Sequence, residues 1–295
     1  MLMERYSKDY CAGLGLMKLE NLHIYHSACC GRDARVLGKV ADDAYGYLKS
    51  YFDEKPEIVL LVLNKSDWEE RVSPNQPYGN PFMPDNRVYY GVRPPESWIE
   101  PLSLLADGAP TELREKLVSI AGLGPCTTRE AVEKIFTLDL FSFTLVHEFA
   151  HPFLAQNLVL PQPIEFKYAF KLDAFWLGEF LPQYIMYSFL KGKDRHSCEK
   201  WLTLMKSVFE GGKGRVKHTK LTEMGLNYHE MIGSCVENIY WYQAKLFLMS
   251  ADLFKLHGED FIRKVQEDLR INERLLLNQI NQSFRRFREW LRIWE

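Results

Sequence analysis

The chain has 295 residues, enough for one large or two modest domains around a substantial core. Thirty-seven Lys and Arg against 39 Asp and Glu leave a net charge of −2, so no electrostatic footprint marks a nucleic acid or an anionic membrane surface, and neither is expected as a partner. With 46% apolar and 26% charged residues, and only 14 Pro and 18 Gly, the composition is that of a folded globular protein and excludes a low-complexity or collagenous chain.

The first 19 residues carry Glu4, Arg5, Lys8 and Asp9 and no unbroken apolar run, so they do not read as a secretory signal. Residues 22–26 (LHIYH) read as a short strand. Cys29 and Cys30 follow and, on a strand, would project to opposite sides. From Asp33 to about Phe52, apolar residues at Ala34, Leu37, Val40, Ala41, Ala44 and Leu48 recur at helical spacing. Residues 58–63 (IVLLVL) form an apolar run without polar alternation, the pattern of a central strand buried on both faces. Residues 73–86 are dense in Pro, Gly and Asn and read as a loop. Residues 87–92 (RVYYGV), with Pro94 and Pro95 directly behind, read as an edge strand.

Beyond Thr111 the pattern is helical: a segment to Ala121, a break at Gly124 and Pro125, and one long helix from Thr128 to about His151. A Pro-rich loop at 160–163 separates it from a second helical series that runs to the C-terminus, with breaks at Gly192, Gly211 to Gly214, Gly225 and Gly258. The element order predicts an α+β fold: an N-terminal subdomain (1–158) with a small mixed sheet, and an all-helical C-terminal subdomain (159–295). Arg285, Arg286, Arg288 and Arg292 read as the solvated face of an amphipathic helix. Apolar stretches such as 138–146 are far too short to span a bilayer. Six cysteines without a CxxC pair fit reduced thiols, so a cytoplasmic location is expected.

The chemistry concentrates in His147-Glu148-Phe149-Ala150-His151. Residues four apart share a helix face, so His147 and His151 can offer two imidazole nitrogens to one metal while Glu148 stands beside the open coordination position. Phe143, Leu145, Val146, Phe149 and Ala150 enclose this triple in apolar side chains, and buried His and Glu need a partner that a metal supplies. A chance HExxH arises in roughly two chains per hundred of this composition, so the assignment needs a third ligand. The HExxHxxGxxH continuation fails, because Leu154 and Asn157 occupy the required Gly and His positions. Glu179 satisfies the carboxylate alternative: it lies 28 residues after His151 in a second helical segment that can turn back against the first. Glu165 and Asp173 are the other acidic candidates.

Trp176-Leu177-Gly178-Glu179 after HEFAH resembles the gluzincin zinc metallopeptidases, whose signature is HExxH followed by a glutamate in a context like W-L-x-E-G-x-A-x-Y. The downstream Tyr240-Trp241-Tyr242-Gln243-Ala244 is similar to a helix of small bacterial and archaeal gluzincin-like proteins. The resemblance implies a zincin-like fold, one Zn²⁺ held by His147, His151 and Glu179, Glu148 as general base, and a peptide or protein substrate laid along the 87–92 strand. Tyr240 or Tyr242 would stabilise the oxyanion, with His218 and His229 as further donors to weigh. Three departures stand out. Phe180 replaces a small residue, and Gln183 stands where thermolysin-like enzymes place an aspartate. Pro152 directly follows His151, where it should end or kink the helix. These departures motivate the alternative of a zincin-fold binding or regulatory protein with little turnover. No GxMEN-like motif precedes HEFAH, so an aminopeptidase is not supported.

Overall fold

A computed structural model of the chain describes residues 11–72, 76–81, 83, 86–157, 175–269 and 287–294. Four short strands, β1 (Gly15–Lys18), β2 (His23–His26), β3 (Val59–Leu63) and β4 (Arg87–Gly91), lie side by side in that order. The β1–β2 pair is antiparallel, whereas β2–β3 and β3–β4 are parallel. The 58–63 run therefore has a neighbour on each side, and β4 is an edge among the described strands, as expected. Alternation explains the unbroken apolar run: Leu60 and Val62 face the main core, while Leu61 and Leu63 join Trp68 and Tyr89 in a smaller cluster on the opposite face. None of the four β1 positions is fully buried, so no core-facing apolar pattern marks the strand, and the sequence reading passed over it.

Helix α1 (Gly31–Lys49) connects β2 to β3 and buries Ala34, Leu37, Ala41, Ala44 and Leu48, the stripe its spacing predicts. It is preceded by a 3₁₀ turn at Ala28–Cys30, closed by the Cys30 N–H on the Ser27 carbonyl. Cys29 and Cys30 are thus on a turn and not on a strand: the chain must reverse from β2 into α1 there, which brings their sulfurs 3.6 Å apart. All six cysteines are free thiols.

Two helices that the sequence reading left unassigned follow, α2 (Lys65–Arg71) and α3 (Glu96–Asp107). Next come α4 (Thr111–Ala121), α5 (Thr128–Ile135), α6 (Leu138–Phe141) and α7 (Thr144–Asn157). The single helix expected over 128–151 is therefore three pieces. Ser142 Oγ donates to the Asp139 carbonyl and Thr144 Oγ1 to the Phe141 carbonyl, local bonds that compete with the helix ladder where α6 gives way to α7. Helix α5 starts at Thr128 as expected, and its N-cap Thr127 forms a complete capping box with Glu130. Helix α7 runs through Pro152 to Asn157 and does not end at His151. The proline removes one N–H from the ladder, but Phe153 and Leu154 beyond it are fully buried and keep the helix in register.

The second half contains α8 (Phe175–Lys193), α9 (Arg195–Gly212), α10 (Leu221–Leu226), α11 (Tyr228–Ser234), α12 (Val236–His257) and α13 (Asp260–Leu269), and Phe287–Trp294 is also helical. The molecule is α+β, with a small mixed sheet and a predominance of helix. One apolar cluster extends from Leu22 in the sheet layer to Trp290, so sheet and helices share a core. No helix among the described residues is long and apolar enough to cross a membrane. The loop expected at 160–163, Glu165, Asp173, Arg285 and Arg286 lie outside the described residues, whereas Arg292 is exposed as expected.

Helix α7 is held at both ends. At its start, the buried Tyr90 of β4 donates to the Phe141 carbonyl at 2.6 Å and bonds the Thr144 hydroxyl at 2.7 Å. At its end, the Asn157 side-chain NH₂ donates to the Glu54 and Phe153 carbonyls, and its oxygen accepts the Glu54 N–H. Helix α8 is tied to α1 through Tyr47 and Ser188 and to the end of α12 through Tyr184 and the Gly258 carbonyl. Helix α9 approaches α3 closely at Gly211, where a β-carbon would meet the Leu105 carbonyl oxygen at 1.9 Å. Gly211→Ala is therefore expected to cost at least about 1–3 kcal/mol, the usual range for overpacking. Urea unfolding measures this, and an unchanged midpoint would contradict the close approach.

Candidate metal centre

Helix α7 presents His147 and His151 on one face, and their Nε2 atoms stand 3.2 Å apart. Helix α8 packs against α7 and brings Glu179 to them, with Oε2 3.3 Å from His147 Nε2. All three side chains are buried, at 8%, 8% and 5% exposure. Their ligand atoms lie within 4.8 Å of one another, and among the described residues they are the one such group of metal-ligating side chains.

The distances pose a bonding problem that a cation resolves. His147 Nε2 carries either one proton or one lone pair. A single proton cannot serve both the His151 nitrogen and the Glu179 oxygen, and a lone pair would face the carboxylate directly. Crowding like-polarity atoms together inside a protein is costly. A cation at the centre would accept a lone pair from each of the three atoms. Tetrahedral coordination at metal–ligand distances of about 2.0–2.1 Å separates neighbouring ligand atoms by about 3.3 Å. The two measured edges match, and the buried His/His/Glu group can hold a metal ion. His147 Nδ1 has no hydrogen-bond partner among the described residues, so packing and not a second hydrogen bond holds that ring.

The centre opens into a cavity of about 540 Å³. Glu148 lines it beside the histidines, and the walls are largely apolar: Trp98 and Leu102 from α3, Met186 from α8, and Trp201 and Met205 from α9. Among the described lining residues there is no Lys or Arg. Gln76, Pro77, Asn80, Pro81 and Met83 form another wall. Gly79, at φ +88°, turns this loop, and its α-carbon packs so close to Gly91 that a β-carbon there would meet it at 2.5 Å. No described residue of β4 lines the cavity, which corrects the expectation of a substrate strand along 87–92. Tyr90 instead braces α7, its phenol held far above the ordinary pKa by burial and then by the Glu148 charge.

The other expected residues separate. Tyr240 lines the cavity, although its hydroxyl donates to the Ser97 carbonyl at 2.8 Å. Burial raises its pKa, so the phenol remains a donor. Tyr242 does not line the cavity, and its hydroxyl donates to the Lys220 carbonyl at 2.7 Å. His218 lies 3.4 Å from a Glu230 carboxylate oxygen, and His229 is exposed; neither reaches the cavity. Phe180 is buried among Trp176, Tyr184, Phe261 and Trp290, and does not line the cavity.

Three contributors were missed by the sequence reading. Trp98 sits on an unassigned helix. Tyr228 is a second cavity phenol, hidden before an irregular junction. Gln243 donates to Glu179 Oε2 at 3.1 Å. Its position three residues after Tyr240 places it on the same face of α12, the one signal available in the sequence. Comparisons with protein-family models, curated proteins and solved structures gave no match to this chain.

The site predicts one divalent cation per chain. His151→Ala and Glu179→Ala should each abolish stoichiometric binding, measured by elemental analysis after dialysis against micromolar metal. Full occupancy in both variants would place the cation elsewhere.

Proposed function

We propose that this chain is a gluzincin-like, zinc-dependent metallopeptidase with a zincin-like active-site arrangement. The observation that supports the reading most strongly is the match of the two His147 distances, 3.2 and 3.3 Å, to the edge of a tetrahedral site that opens onto a cavity also lined by Glu148. Two imidazoles and one carboxylate are a donor set suited to zinc and leave a fourth position open. When bound, such an ion acts as a Lewis acid on a carbonyl oxygen and lowers the pKa of water at the open position.

This chain's residues supply the rest. Glu148 accepts the proton of the attacking water and delivers it to the leaving amine nitrogen. Tyr240, a protonated phenol in the cavity wall, is placed to donate to the developing oxyanion once it exchanges the Ser97 carbonyl for substrate. Tyr242 has no part in this step. The apolar wall from Trp98 to Met205 excludes water and favours a peptide with a large uncharged side chain beside the scissile bond.

Glu148→Gln is expected to retain the metal and to lower turnover by about 10²–10⁴-fold, the range for loss of a general base. Metal-loaded protein that cleaves no peptide in a broad library would favour the binding-module alternative, and full activity in Glu148→Gln would remove the base assignment. Within such a library, peptides with a large apolar residue flanking the cut should be preferred over those with Asp or Glu by about 10-fold or more in kcat/KM. Equal rates for the two sets would dissociate the cavity from specificity.

A further inference from the structure

Glu179 and Gln183 are four residues apart on α8 and share a face. Across from them, Gln243 of α12 places its side-chain amide between the two. Its Nε2 donates to Glu179 Oε2 at 3.1 Å, and its Oε1 accepts from Gln183 Nε2. Both amide orientations follow from the carboxylate. Glu179 can only accept, so Gln243 must turn its NH₂ towards it and its carbonyl away. Gln183 must then present its own NH₂ to that carbonyl. The orientation leaves Gln183 Oε1 buried and unpartnered among the described residues, and reversing both amides would instead set the Gln243 oxygen against the carboxylate.

The geometry points to Gln243, held at its carbonyl end by Gln183, as the positioning residue of the cation site. It occupies one lone pair of Glu179 Oε2 and fixes which lone pair remains for the ion. The inference rests on the cation-binding reading of His147, His151 and Glu179. Ligand carboxylates are oriented by such hydrogen bonds, and loss of the partner typically costs about 10–100-fold in metal affinity. In this chain the role falls to two neutral amides on separate helices. His147 Nδ1, by contrast, lacks a partner among the described residues, so the hydrogen-bonded support falls on the carboxylate and not on that imidazole.

The test uses the full chain, titrated with Zn²⁺ in competition with a chromophoric chelator and with Co²⁺ to read coordination geometry by its visible absorption. Gln243→Met keeps the length and helix preference of the side chain but removes the donor. It should weaken Zn²⁺ binding by about 10–100-fold and alter the Co²⁺ spectrum, in addition to any drop in the unfolding midpoint of metal-free protein from the lost Gln183 contact. A merely structural glutamine would move that midpoint and leave affinity and spectrum alone. Gln183→Met, which leaves the donor in place but removes the contact that holds its carbonyl end, should weaken binding by about 10-fold and stands in should Gln243→Met not fold. Wild-type affinity and spectrum in the folded variants would overturn the positioning role while leaving the cation site intact. Failure of the wild-type chain to bind either ion would overturn both readings.

Discussion

Three electron pairs are brought to one point inside an apolar core, and the molecule around that point is arranged to tolerate them. Two imidazole nitrogens and a carboxylate oxygen at 3.2 and 3.3 Å cannot satisfy one another with the protons available. Burial limits the water that can mediate between them to what the cavity admits. A cation shared among the three would resolve the conflict, and the group can hold one. Glu148 and the apolar cavity derive their chemical interest from that centre.

Rigidity around this point comes from polar contacts at the ends of the helices that carry it. Tyr90 braces the start of α7 from the sheet, and Asn157 ties its end to the segment between α1 and β3. Between those anchors α7 carries a proline directly after its second histidine and continues as helix to Asn157. Helix α8 is fixed to α1 by Tyr47 and to α12 by aromatic contact of Tyr187 with Phe247. The edge strand thus serves the site as a brace, while a glycine-turned loop forms the cavity wall.

The local features of the centre were legible in the sequence because they depend on helical period. His147 and His151 are one turn apart, and Glu179 stood out by its Trp-Leu-Gly context. The stripe of α1 and the two-faced β3 were readable for the same reason. Features set by distant partners were not. Gln243 meets Glu179 across 64 positions of chain, and nothing local marks a glutamine as the hydrogen-bond donor to a buried carboxylate. The break between α6 and α7 coincides with hydroxyl groups that bond the backbone, a choice made in tertiary context. Tyr240 and Tyr242 are instructive in another way: two positions along a helix are about 200° apart around its axis, so one cavity could never have received both.

The ligands come from helices that are separate in the chain, with 32 positions between His147 and Glu179. An ion that binds only when α7 and α8 are docked draws its affinity from the same free energy that docks them, by thermodynamic linkage. Metal occupancy becomes a gauge of the helix interface as a whole. Loosening the ring contact of Phe143, at the start of α7, with Phe189 of α8 should register as easier release of the ion before it registers as unfolding.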